Sequence, residues 1–377
     1  MKLTKTLAVF FCVVQAIFLN AQFDAFTIDH DGLTRTYYKY VSANYNSDNP
    51  ASVVVWLHGM GDISVAEVQN QYPAHQFIPI ADTANFIILV PVSENYALLN
   101  MRAWNSQAGI FGISPNTNVD DFGFIDAMLD ETIAANAVNE DRLFICGFSM
   151  GAFMTQRFAL QHNSRFAAYA SVGGTIGGNI TSTTPNKPIR LAHFHGTEDG
   201  TVGYENNTFG MGAEQMRDFW LENNNCDFTP VYESQYTDTD PSTNTSLTVD
   251  YYVFSNGEAD IEFHKQNGAG HIWPKNTSTE IWKFFSKHEG VLRIDDQELT
   301  ADLIAVYPNP TQGDITIEYP FNENYQLDVV DAQGRFVYSK ACTDSNVNIS
   351  LGTLNKGMYF VKITNSTSSI TKKVMLK

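Results

Sequence analysis

The chain is poor in basic residues, poor in cysteine and short of long apolar runs. Lys and Arg number 23 against 41 Asp and Glu, a formal net charge of -18. A surface of that sign repels the phosphates of nucleic acid and the headgroups of anionic lipid. Of the four cysteines, Cys12 lies in the leading apolar run, leaving Cys146, Cys226 and Cys342. One intrachain bridge is then the most that can form, so a disulfide-framed domain is excluded. Cys146 sits in an apolar strand-like run, where a buried free thiol is as good a reading as a bridge. No cysteine or histidine spacing resembles a metal site. Internal repeats and low-complexity tracts are absent too, which removes solenoids and linker-like chains.

The one extended apolar run, Leu7 to Leu19, follows Lys2 and Lys5 and closes on Asn20-Ala21. It is shorter than the roughly 20 residues a spanning helix needs, and residues 1–21 are expected to be a signal peptide, with no membrane span left after its removal.

From Ser52 to about Glu289, apolar runs alternate with segments of helical period. This is the pattern of an α/β protein with a doubly wound, mostly parallel sheet covered on both faces. The spacing predicts strands at Val53–Leu57, Phe86–Val92, Leu143–Cys146, Ala168–Val172, Leu191–His195 and Tyr251–Phe254. Phe122, Ile125, Met128, Leu129 and Ile133 recur at helical spacing, with Asp120 and Asp121 read as capping carboxylates rather than catalytic ones. His288 closes a last helix, where a charged imidazole suits the dipole. The polar, acidic stretch after it serves as a linker. From Leu303 the strict alternation Asp314-Ile-Thr-Ile-Glu-Tyr319 and short Gly- and Asn-separated strands predict a small all-β sandwich. The expected division is 1–21 signal peptide, 22–290 catalytic domain, 291–302 linker and 303–377 C-terminal domain.

Chemistry enters at Arg142-Leu-Phe-Ile-Cys-Gly147-Phe148-Ser149-Met150-Gly151, an apolar strand, a Gly-x-Ser-x-Gly turn and an apolar helix. A bare motif of this kind can be an ordinary turn; between strand and helix it reads as a nucleophile elbow. Serine oxygen is a weak nucleophile until a base takes its proton, so a histidine must follow with an acid between. Nine histidines are available. His30 and His58 precede the elbow, His75 lies in a helix-like region and His162 ends the elbow helix. His193, His195 and His264 read as strand residues. His271 alone sits in a loop, Gly268-Ala-Gly-His-Ile-Trp-Pro274, after a strand and before the last helix. For the acid, the strand Leu191–His195 runs into Gly196-Thr197-Glu198-Asp199, and loop position alone leaves Glu198 and Asp199 both open. The early strand ends in Trp56-Leu-His58-Gly59-Met60-Gly61-Asp62. In such a fold the loop after that strand and the residue after the nucleophile supply the oxyanion amides, here Met60 and Met150.

His58-Gly59, Val119-Asp-Asp-Phe-Gly-Phe124, Gly147–Gly151, His195-Gly-Thr-Glu-Asp-Gly-Thr-Val202 and His271-Ile-Trp-Pro274 together resemble the polyhydroxybutyrate depolymerase and feruloyl esterase group of α/β hydrolases. The resemblance implies a triad of Ser149, Asp199 and His271. Gly203 departs from the group, which commonly carries proline there, and that bears on pocket shape. The tail from Val306, with Tyr307-Pro-Asn-Pro310, Val330-Asp-Ala-Gln-Gly334 and Leu354-Asn-Lys-Gly-Met-Tyr-Phe360, resembles the C-terminal sorting domain of the type IX secretion route. That implies the secretion machinery as a partner and an extracellular or cell-surface location. The expected activity is a secreted serine carboxylester hydrolase on polymer-linked esters, feruloyl or acetyl esters of polysaccharide or a polyester, needing neither metal nor organic cofactor. Trp104 and Trp273 are expected to line its acyl pocket. A serine peptidase of the same fold is one alternative, and a non-catalytic surface-binding protein is the other.

Overall fold

The computed structural model describes residues 23–109, 113–205, 208–290, 304–319, 325–343, 346–364 and 369–377. The expected signal peptide and linker lie outside these residues. The chain divides into two compact units between Leu292 and Arg293.

The first unit opens with an antiparallel hairpin, β1 (Asp24–His30) and β2 (Leu33–Val41), then β3 (Ala51–Leu57). Three short helices follow, α1 (Val65–Val68), α2 (Tyr72–Gln76) and α3 (Ile78–Ala84). Next come β4 (Phe86–Pro91), a two-residue pair β5 (Asn95–Tyr96) and β6 (Met101–Arg102), α4 (Asp121–Ala135) and β7 (Val138–Phe148). The rest runs α5 (Met150–Gln161), β8 (Ala168–Val172), β9 (Leu191–Gly196), α6 (Ala213–Asn223), β10 (Tyr232–Thr239), β11 (Ser246–Phe254), β12 (Ile261–Asn267) and α7 (Thr277–Phe285). Ten strands form one sheet in the order β1-β2-β4-β3-β7-β8-β9-β12-β11-β10. The six from β4 to β12 in that order are parallel, and antiparallel strands close both edges. All six predicted strands are present, most of them longer than predicted. The edge strands β1 and β10 carry largely exposed or half-exposed sequences that gave no strong signal, because an edge strand has little to bury.

Burial on both faces explains the continuous apolar strands. On β3, Val53, Val55 and Leu57 enter one core cluster, while Val54 and Trp56 enter the cluster on the opposite face. Successive side chains point to opposite sides, so every residue of β3 is buried.

Asp120 and Asp121 do different jobs. Asp120 is the N-cap of α4, accepting from the Gly123 amide at 3.0 Å. Asp121, expected to cap as well, is instead fully buried. It accepts from Arg35 Nη2 of β2 at 2.7 Å and from the Asn105 amide at 2.8 Å. Arg35 is itself buried, its guanidinium 4.1 Å above the Phe124 ring. Burial pushes the Asp121 carboxyl up, against the downward pull of Arg35. His288 also departs from its expected role. It is buried, and burial lowers it to about 4, so it is a neutral packing group and not a charged helix cap.

The named strands of the second unit all pair antiparallel. A three-stranded sheet joins β13 (Ala305–Tyr307), β14 (Asp314–Glu318) and β17 (Asn346–Ser350) in that order. A four-stranded sheet takes the order β16 (Phe336–Cys342), β15 (Tyr325–Asp331), β18 (Gly357–Thr364) and β19 (Ser369–Leu376). Ile315, Ile317, Leu327, Val329, Val361 and Ile363 share one core, the inward half of a period-2 pattern. Cys146 and Cys226 are buried free thiols, and Cys342 is buried too.

The Arg35–Asp121 pair generates a stability prediction. Asp121→Ala leaves a buried guanidinium whose one remaining carboxylate partner among the described residues is the partly exposed Glu94, 3.1 Å from Arg35 Nε. The loss expected in urea unfolding is about 3 kcal/mol, against about 1 kcal/mol for Asp120→Ala at the cap.

Candidate active site

Ser149 stands between the end of β7 and the first turn of α5, with φ 55 and ψ -120. That conformation is costly for a residue with a Cβ and persists only when its surroundings enforce it. They do. The Ser149 amide donates to the Val172 carbonyl at 2.9 Å, and its carbonyl accepts from the Ala152 and Phe153 amides at 2.9 and 3.1 Å. The flanking glycines are required by contact. A Cβ on Gly147 would lie 2.3 Å from the Gly151 carbonyl carbon and oxygen, and one on Gly151 would lie 2.1 Å from the Leu57 carbonyl oxygen at the end of β3. The first turn of α5 therefore presses backbone to backbone against two parallel strands, and the Ser149 side chain is left at the surface of a cleft.

The parallel strands end on the same side, so their following loops meet. The loop after β9 carries Asp199. Its Oδ1 accepts from the Thr201 and Val202 amides at 2.9 and 2.8 Å, and its Oδ2 accepts from His271 Nδ1 at 2.7 Å. Its side chain is 1% exposed, whereas Glu198 faces solvent. Burial alone would raise the Asp199 carboxyl, but the hydrogen bond and charge of His271 and the two amides hold it below the usual range. His271 follows β12. Its ring stacks on Phe148 at 4.8 Å, and a Cβ on Gly173, after β8, would sit 3.3 Å from its Nδ1 and Cε1. Asp199 thus fixes the His271 tautomer with Nδ1 protonated, leaving Nε2 able to accept.

The loop after β3 is held by His58. Its Nδ1 donates to the Gly59 carbonyl at 2.6 Å and its Nε2 accepts from the Ser93 amide at 3.1 Å, which fixes the tautomer. Burial lowers His58 to about 4, so it is neutral. In a planar trans peptide, C=O and N–H point in opposite directions. Drawing the Gly59 carbonyl toward His58 therefore turns the Met60 amide away from it. Met150 is the first residue of α5, where a helix has no internal acceptor for the amide. Met60, Ser149 and Met150 all line one cavity of about 220 Å³.

The rest of that cavity is largely apolar, formed chiefly by Met101, Phe153, Val202 and Phe209, with Thr201 as a polar member. Phe153 lies one helical turn beyond Ser149, a spacing visible in the sequence. Met101, on the two-residue strand β6, and Phe209, between β9 and α6, are distant in sequence and gave no local signal. The two tryptophans expected here are elsewhere. Trp104 is fully buried and donates from Nε1 to the His58 carbonyl at 2.8 Å, so it braces the β3 loop from behind. Trp273 is in the opposite core cluster, bonded to Ser278 Oγ at 3.1 Å and edge-on to Phe77 and Phe148. Both indoles were drawn into the core because each finds a partner for its N–H there. Among the described residues, no group of three or more His, Cys, Asp or Glu side chains gathers as metal ligands, and no helix is long and apolar enough to cross a membrane.

Residues 40–239 match the phospholipase/carboxylesterase family, and residues 305–377 match the secretion system C-terminal sorting domain. Feruloyl esterase D of Neurospora crassa is 26% identical over 207 residues, which cover 53% of this chain and 63% of that protein. A bifunctional acetylxylan esterase/xylanase of Neocallimastix patriciarum is 22% identical over 258 residues, covering 68% of this chain and 34% of that protein. The chain thus spans less than two thirds of the length of these relatives. Among solved structures, the acetyl xylan esterase from Aspergillus awamori superposes with a TM-score of 0.49 at 15% identity, over 70% of this chain and 99% of its own; that is too distant to bear on the site.

Two glycines separate folding from access. Gly151→Ala places its new carbon against the Leu57 carbonyl, which is backbone and cannot yield, so the expected result is little folded protein in expression and thermal-melt assays. Gly59→Ala would bring its Cβ 3.2 Å from Ser149 Cβ and 3.7 Å from its Oγ. There the melt is expected to change little while hydrolysis of a short-chain nitrophenyl ester falls.

Proposed function

The chain belongs to the phospholipase/carboxylesterase family, and from that premise we propose that it is a serine carboxylester hydrolase working through an acyl-enzyme. Ser149 attacks the ester carbonyl as His271 Nε2 takes its proton. Asp199 stabilises the imidazolium that forms, and the Met60 and Met150 amides receive the oxyanion, helped by the positive end of α5. His271 returns the proton to the leaving alcohol. It then activates water, which releases the acid and restores Ser149. The observation that carries this reading is the combination of a strained Ser149 backbone and the 2.7 Å bond from His271 to Asp199. Strain of this kind is retained where it serves chemistry.

The cavity argues for the acyl side of the substrate. About 220 Å³ of largely apolar space beside Ser149 suits a small aromatic or aliphatic acyl group. The names of the relatives, feruloyl esterase and acetylxylan esterase, support acyl groups carried on plant polysaccharide; a polyester is the other polymer that fits the cleft. The sorting domain directs the protein through the type IX secretion route to the cell surface or the medium, where such polymers are met. We place the working boundaries at 22–290 for catalysis and 303–377 for sorting.

Ser149→Ala is expected to lower kcat/KM on a short-chain nitrophenyl ester by about a thousandfold or more with an unchanged melt. A variant retaining a tenth of the wild-type rate would overturn the assignment. A panel of feruloyl, acetyl-xylan, hydroxybutyrate and peptide-anilide substrates ranks the acyl group. Ending the chain after Asp302 is expected to leave hydrolysis of a soluble ester intact and to abolish export in a host with the type IX route. Loss on a solid polymer alone, with export preserved, would make the tail a binding module.

A further inference from the structure

Resting on that reading of the triad, we infer that His195 is a positioning residue: a buried one-way chain of hydrogen bonds through His193 sets its tautomer, and it holds the Asp199 loop to the core of the sheet. The chain runs over five side chains, each 1% exposed or less. Trp220 Nε1 donates to Gln156 Oε1 at 2.8 Å, and Gln156 Nε2 donates to Ser171 Oγ at 2.7 Å. Ser171 Oγ meets His193 Nδ1 at 2.7 Å, His193 Nε2 meets His195 Nδ1 at 3.2 Å, and His195 Nε2 meets the Val202 carbonyl at 2.8 Å.

Both ends of this chain can act in one sense only. An indole N–H can only donate and a carbonyl can only accept. His195 Nε2 therefore carries the hydrogen. In the neutral ring its Nδ1 then accepts, so His193 donates from Nε2, and Ser171 donates to His193 Nδ1. The same hydroxyl oxygen takes the Gln156 amide, and each link is satisfied once. A proton added to His195 Nδ1 would meet the His193 N–H. Turning His193 around would set its donor on Ser171 and leave the hydroxyl hydrogen without its acceptor. Burial also disfavours charge on both rings.

What the chain grips is the acid loop. Val202 is the residue whose amide holds Asp199 Oδ1, and its carbonyl is the group His195 holds. The same His195 Nε2 lies 3.5 Å from Asp199 Oδ2, the oxygen bonded to His271. A neutral His195 supports that oxygen without competing for its charge; a cationic one would be a rival to His271. The other titratable groups around it are Tyr204, edge-on at 5.7 Å, and Lys265, the register partner of His195 on β12. Lys265 Nζ is directed over the Tyr204 ring and to Glu214, which Tyr204 also meets. The chain thus ties the β9 loop to α5 and α6, the helices that carry Gln156 and Trp220.

The test compares two short amides in the full-length protein. Gln at 195 can place its amide nitrogen where Nε2 stands, whereas Asn reaches only the His193 side. His195→Asn is expected to lower kcat on the order of tenfold to a hundredfold, the scale of a misplaced reacting group, with KM nearly unchanged. His195→Gln should return to within a few-fold of wild type. Equal rates for the two variants, or losses that track their melting temperatures, would overturn the positioning role. In case either variant misfolds, 15N-histidine NMR of the wild type supplies an independent arm. His195 should show a protonated Nε2 and a bare Nδ1 from about pH 6 to 8; a protonated Nδ1 there would refute the one-way chain. Ser149→Ala keeps the two ideas apart. Should it hydrolyse at the wild-type rate, the serine reading fails, while the nitrogen resonances still decide the state of His195.

Discussion

Everything at the site depends on how closely the first turn of α5 approaches the end of β3. Gly151 lies so near the Leu57 carbonyl that no side chain fits between them. This contact sets the height of Ser149 above the sheet, bends its backbone to φ 55, and aims the amide end of α5 at the cleft. It can hold because both partners are rigid. β3 is buried along its whole length, and α5 has ten buried residues packed on the sheet. Strain at Ser149 is thereby offset by burial elsewhere, as strained functional residues require.

A second regularity is the use of neutral buried histidine as a fixture. His58, His193 and His195 are all lowered by burial and each is bonded at both ring nitrogens. A neutral imidazole offers one donor and one acceptor at fixed separation, so it can tie two loops without placing a charge in the core. Here one such ring turns the Met60 peptide and another carries the Asp199 loop. In the proposed reaction the charge is left to Asp199 and His271, which lie 2.7 Å apart. The net negative charge of the chain bears instead on solubility and on association with charged partners.

The two tryptophans show how packing reassigns residues that look functional. Trp104 and Trp273 flank site loops in the sequence, yet both indoles are buried on partners behind those loops. Each supports the site through one layer of structure: Trp104 through the His58 carbonyl, Trp273 through Phe148, on which His271 stacks. The cavity wall is supplied instead by Met101 and Phe209, from segments with no recognisable pattern. Asp121 makes the same point for charge. A helix-start carboxylate looks like a cap from its neighbours alone, and only the arrival of Arg35 from β2 turns it into a buried ion pair.

Local chemistry was legible in the sequence. Fully buried strands are continuous apolar runs, an elbow needs glycine on both sides of serine, and a sandwich strand alternates with period 2; each rule acts within about ten residues. Hence the central strands, Ser149, the loop position of His271 and the alternation at Asp314–Tyr319 could be read directly. The choice between Glu198 and Asp199 could not, because loop position treats them alike. Only the fold buries one beside His271 and leaves the other in solvent. The edge strands, the cavity wall, the histidine tautomers and the fate of both tryptophans belong to the tertiary structure for the same reason. Each is decided by groups tens of residues away, brought together because parallel strands deliver their loops to one end of the sheet.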